Sequence, residues 1–255
     1  MTVARTQRGV VAVLLALAVA SWWSTHERMD GMDAGPWTTL GTLGWFLGVW
    51  VVMMAAMMLP SAVPTVALYG RLARERAQLG TFLFVAGYLA VWVAAGLAAF
   101  GLAAAGSHLA GGVLAWDRAG RWAAGFTLLL AAGYQLTPLK DRCLARCRAP
   151  LALLLGSWRP GVFGGFRLGL SSGAWCAGCC WALMASLFAL GVMSIAWTAL
   201  VAALVAVEKL LPWRRVATAT TAALLVALGL LLLGAPDHIP GLTLPDAVSG
   251  PTMGG

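Results

Sequence analysis

Apolar runs long enough to cross a lipid bilayer recur along this chain, and they constrain it more than any motif does. From Gly80 to Gly106 the residues are mostly Ala, Val, Leu and Gly. About 20 helical residues cross a bilayer's hydrocarbon core. No water is present there to satisfy backbone polar groups, so such a run must be a helix packed among helices. Only 10% of the 255 residues are charged and 61% are hydrophobic, whereas soluble domains carry about 25% charged residues. The expectation is an all-α, polytopic transmembrane helix bundle. Helices near residues 10–23, 44–69, 80–106, 122–136, 164–191, 193–211 and 216–233 give seven spans in one domain, residues 1–236, followed by a flexible external tail, residues 237–255.

The basic residues set an expected orientation. Arg71, Arg74 and Arg76 follow the second helix, and Lys140, Arg142, Arg146, Arg148 and Arg159 fill the longest loop. Of the 17 Lys and Arg residues, all but Arg28, Arg118 and Arg121 fall on one side. That places the amino terminus inside and the carboxyl terminus outside a bacterial cytoplasmic membrane. The net charge of +8 is then a topology signal. Nothing interleaves aromatic and basic residues as single-strand nucleic-acid binding requires. Ala18-Val19-Ala20 has the small residues of a signal-peptidase site, while Trp22 and Trp23 fit an interfacial belt on a retained helix.

Chemistry concentrates in SSGAWCAGCCWALM, Ser171 to Met184. Offsets of three and four place Cys176, Cys179 and Cys180 on one helix face, with Ser172 a turn earlier and Met184 a turn later. Cysteine also packs as a small apolar residue, but C-x-x-C-C followed by Met is a concentration of soft ligands. Gly165, Gly169, Gly173 and Ala177 form a small-xxx-small ladder on nearly the same face. The sulfur face is therefore expected to meet protein rather than lipid.

A second sulfur cluster lies in WVVMMAAMMLPSAVP. Met53 pairs with Met57 and Met54 with Met58 at i,i+4, beside Pro60 and Pro64, which are expected to kink the helix. Methionine fills irregular cores, but thioethers also select Cu(I). At 1.5 Å per residue, Met53 begins about 14 Å and Cys176 about 18 Å into their helices, both near mid-membrane. Met54, Met57, Met58, Cys176, Cys179, Cys180 and Met184 could then share a metal site if the two helices are neighbours. Glu208, about 22 Å along the sixth helix, is expected as a ligand or relay because a carboxylate in the membrane is costly without a role. Cys143 and Cys147, at i,i+4 in the basic loop, are candidate relay thiols on the cytoplasmic side, with Met53 as a further relay. The third helix reads as scaffold. His26, Met29, Asp30, Met32 and Asp33 in the outer loop match no defined site.

WVVMMAAMMLPSAVP, YQLTPLKDRCLARCRAP, RLGLSSGAWCAGCCWALM and VEKLLPW together make the chain resemble a bacterial family of predicted metal-binding integral membrane proteins. The resemblance runs from about Trp50 to Trp213. It implies metal binding at Met57, Met58, Cys176, Cys179, Cys180, Met184 and Glu208. In two places this chain departs from that family's pattern. Ser172 and Arg146 stand where histidines often precede the motif cysteines, which favours a sulfur-rich, Cu(I)-type site over zinc.

Three functions fit these residues. One is binding of a soft metal, Cu(I) before others, for transport or delivery to a metallochaperone or copper-enzyme partner, without catalysis. Another is a membrane thiol–disulfide oxidoreductase using the same cysteines. The last is a non-catalytic assembly subunit. Partners otherwise reduce to membrane lipid, with no nucleic acid, and there is no nucleotide-binding signature.

Overall fold

A computed structural model of the protein describes residues 41–72, 77–110, 120–157, 163–190 and 194–235, with 9, 12, 16, 18–24 and 27 before them. Part of the expected first helix, most of the outer loop after it and the tail lie outside the described residues. Residues 18–24 are helical and are labelled α1. The chain continues through α2 (Leu43–Leu72), α3 (Ala77–Ala110), α4 (Arg121–Gln135), α5 (Pro138–Cys147), α6 (Pro150–Ser157), α7 (Gly164–Leu190), α8 (Ile195–Leu210) and α9 (Arg214–Gly234). Among the described residues there is no strand.

Among the described residues, four helices are long and apolar enough to cross a membrane, at Leu43–Gly70, Gln78–Gly106, Gly164–Leu190 and Arg214–Gly234. α4 has 15 residues and α8 has 16. At 1.5 Å per residue they reach about 22–24 Å, short of a hydrocarbon core of about 30 Å. Hydropathy alone did not separate these shorter helices from full-length ones. Phe82, Leu102, Phe126, Leu130 and Leu230 are exposed, as a lipid-facing surface requires.

The expected long inner loop is instead two short helices. Thr137 caps α5, its Oγ1 accepting from the Lys140 backbone N–H at 3.3 Å. Pro138 opens the first turn, where no N–H is needed, and Asp141 sits near the positive helix end.

The glycine ladder marks a close helix crossing. α7 packs along α3, and a Cβ built on Gly169 would lie 2.1 Å from the Phe84 carbonyl oxygen. From the other side, a Cβ on Gly87 would meet the Phe166 carbonyl at 2.3 Å. Both obstacles are backbone, which cannot swing away. Gly169→Ala is therefore expected to force the helices apart and cost about 1–3 kcal/mol. Thermal unfolding in detergent reads this directly, and an unchanged midpoint would contradict the close crossing. A second glycine contact joins α4 to α9, where a Cβ on Gly229 would lie 3.2 Å from the Gly125 carbonyl. α2 lies on α3, with the Trp50 Nε1–H donating to the Trp92 carbonyl at 2.9 Å. α2 runs through Pro60 and Pro64 without interruption.

Candidate metal centre

The buried sulfur atoms gather where α2, α3, α5, α7 and α8 meet. Cys176, Cys179, Cys180 and Met184 are all buried on α7, as are Met53, Met54, Met57 and Met58 on α2. Cys176 is the centre of the group. Its Sγ lies 3.9 Å from the Met58 Sδ and 2.9 Å from the Tyr88 hydroxyl. The Cys179 Sγ donates to the Cys176 carbonyl at 3.1 Å and lies 3.3 Å from the Cys180 Sγ. Tyr88 also donates to the Met58 carbonyl at 3.3 Å, so a side chain of α3 ties the methionine helix to the cysteine helix. Met58 and Cys176 meet beside α3, which glycine lets approach α7 closely.

Cys147, at the end of α5, lies toward this group. It interacts electrostatically with Cys176 and Cys179. Interaction with Cys176 is the main cause that pushes its thiol up to about 11. The glycine of C-A-G-C-C explains how α5 gets there. The Cys143 Sγ sits 3.0 Å from where a Gly178 Cβ would be, so the bare backbone lets α5 rest on α7. Cys147, one turn after Cys143, then reaches the cluster. Arg146 stacks over the Trp175 ring at 5.2 Å and fixes the same contact. The Tyr134 hydroxyl donates to the Gly178 carbonyl at 2.5 Å, so α4 holds the motif from a further side.

Other expected site residues are placed differently. Glu208 is buried but turns away from the sulfurs, and its Oε2 accepts from Lys140 Nζ at 2.5 Å. Arg148 donates to the Glu208 backbone carbonyl at 3.2 Å. Met53 Sδ accepts from the Thr198 hydroxyl at 4.0 Å. No hydrogen bond among the described residues joins Met54, Met57 or Met184 to the thiols. Cys143 rests against Gly178 beside the cluster.

Two contributors were not legible as site residues. The first is Tyr88, whose signal was a hydroxyl in the middle of a helix otherwise read as scaffold. The second is Lys209, whose Nζ reaches the Cys176 Sγ at 3.1 Å, the Ser61 Oγ at 3.0 Å and the Met58 Sδ at 3.7 Å. Its signal was a cation next to Glu208 that could not share that residue's face.

All five cysteines are free thiols. Among the described residues no three His, Cys, Asp or Glu side chains are arranged as a metal cage. The thiols instead turn toward one another and toward the Cys176 carbonyl. The donor chemistry is nevertheless consistent, since thiols and a thioether suit Cu(I) and disfavour hard divalent ions.

An all-helical protein with membrane-length apolar helices and a sulfur-rich interior is the class that the fold defines. A family model described as copper chaperone, PpoB2, matches residues 47–232, and the chain belongs to that family. This gives the protein a copper-related role among copper-handling partners. No curated protein and no solved structure matches the chain.

Proposed function

We propose that the protein takes up Cu(I) as cargo at Cys176 and Met58, with Cys179, Cys180 and Cys147 as the thiols that accept it next, and passes it to a copper-handling partner. In this reading it is not an enzyme. It sits in a bacterial cytoplasmic membrane, amino terminus inside and carboxyl terminus outside. The single observation that carries the proposal is the 3.9 Å approach of Cys176 Sγ to Met58 Sδ. These residues come from separate helices and meet at a soft-donor centre, in a chain of a copper-chaperone family. Met54, one turn before Met58, extends the thioether face along α2 toward the expected outer side. Cys147 lies at the end of the basic α5, on the expected cytoplasmic side. Thioethers bind weakly and thiolates bind tightly, so the order Met54, Met58, Cys176, Cys147 is downhill for Cu(I).

The test is copper content. Full-length protein purified in detergent and offered Cu(I) under reducing conditions is expected to retain it stoichiometrically, with protons released as thiols become thiolates. Retention of no copper overturns the proposal. A second reading, thiol–disulfide exchange, draws support from the electrostatic interaction of Cys147 with Cys176 and Cys179. It would show as a reversible disulfide between α5 and α7 in a protein that binds no copper.

A further inference from the structure

Lys209 brings a fixed positive charge into the place where a cationic cargo has to sit. Its three polar contacts, Cys176 Sγ at 3.1 Å, Met58 Sδ at 3.7 Å and Ser61 Oγ at 3.0 Å, occupy the three donor directions of an ammonium. Two of these three are the atoms proposed above as the first copper ligands. Cu(I) held by Cys176 and Met58 would stand among the same atoms as the Lys209 Nζ, with the same charge. At a few ångströms in a poorly polarisable interior that repulsion is strong. The two cations therefore exclude one another.

We infer that Lys209 is a tethered counter-cation which holds the empty sulfur pocket of Cys176 and Met58 and is displaced when a monovalent soft metal enters. This deepens the copper reading and rests on it. Three features of the chain fit an exchange rather than a fixed strut. Lys209 is in the last turn of α8, and the helix ends one residue later, so the ammonium can swing to the interface on its four-carbon stem. The neighbouring buried charge, Glu208, is already paired with Lys140 and does not hold Lys209 in place. Ser61, the third partner, is bound to the Met58 carbonyl at 2.7 Å and remains satisfied when Lys209 leaves.

The exchange sets both affinity and selectivity. Replacing one positive charge by another adds no positive charge to the buried pocket. A divalent ion would add an uncompensated charge in a low-dielectric site, which is costly. Displacing the ammonium also lowers the affinity for Cu(I), as a protein that must release its cargo requires.

The experiment is a competition titration of full-length protein in detergent against a Cu(I) chelator of known affinity, for wild type and Lys209→Gln. Glutamine keeps a donor for Ser61 and removes the charge. The variant is expected to bind Cu(I) about tenfold or more tightly, since a like charge no longer has to be displaced. Its unfolding midpoint should fall relative to wild type in the copper-free state and match wild type when loaded. Lys209→Leu carries the same expectation and serves if the glutamine variant misfolds. Equal or weaker copper binding by these variants overturns the inference. It would mean that Lys209 stays beside the bound metal and balances a second thiolate. Equal destabilisation of the copper-free and loaded states also overturns it, because the residue is then only structural. A wild type that binds no Cu(I) removes the copper reading itself and this inference with it, and the wild-type titration alone reports that case.

Discussion

Cys176→Ser is expected to weaken Cu(I) binding by more than about a hundredfold, beyond what loss of an outer-shell partner causes, while the helical fold persists. Cys176 is the one residue in contact with Met58, Tyr88 and Lys209 together. Serine is nearly isosteric and can still exchange hydrogen bonds with Tyr88 and Lys209. The cost in stability should therefore stay within about 1.5 kcal/mol, the ordinary worth of one hydrogen bond. Copper content and the thermal midpoint, measured on the same preparation, separate the two effects. Cys143→Ser is the matched control, because Cys143 rests against Gly178 outside the cluster and its loss should leave copper bound. Full copper retention by Cys176→Ser would remove Cys176 from the site.

Lys140→Met is expected to be the most destabilising single change among the described residues. Lys140 and Glu208 have side chains only 1% and 2% exposed and are separated by 68 residues in sequence. The Glu208 Oε1 already has no hydrogen-bond partner. Removing Lys140 would leave a buried carboxylate with neither a counter-charge nor a full set of donors, a loss of about 3–5 kcal/mol. The double variant Lys140→Met with Glu208→Leu should recover much of that, because replacing both members of a buried pair by apolar residues is often close to neutral. Thermal unfolding of the two singles and the double closes this cycle. If both singles are mild and Glu208→Leu abolishes copper binding, Glu208 acts on the metal and not as the partner of Lys140.

The sulfur centre was half legible in the sequence. The offsets among Cys176, Cys179 and Cys180 place them on one face of any helix, whatever surrounds it, and burial of all three follows the small-residue ladder beside them. The ladder announced a close helix contact but carried no information on which helix makes it. The partner turned out to be α3, whose Gly87 reciprocates. This brought in Tyr88, a residue that composition gave no reason to select. The basic loop carried a helix start in Thr137-Pro138 with Asp141 behind it, and reading that cap would have foreseen α5.

Glu208 and Lys209 show where the sequence stopped. Local chemistry made both costly in an apolar helix, and helix geometry turns consecutive side chains about 100° apart. The sequence therefore determined that the two charges face different surroundings, along with the helical class, the apolar spans and the shared cysteine face. Each of these depends only on local spacing and on transfer from water. Which partner each charge meets was decided by the tertiary structure alone. Glu208 meets Lys140, while Lys209 meets Cys176 and Met58. Those pairings depend on how α2, α5, α7 and α8 pack, and a one-dimensional pattern does not encode the distance between residues brought together from far along the chain.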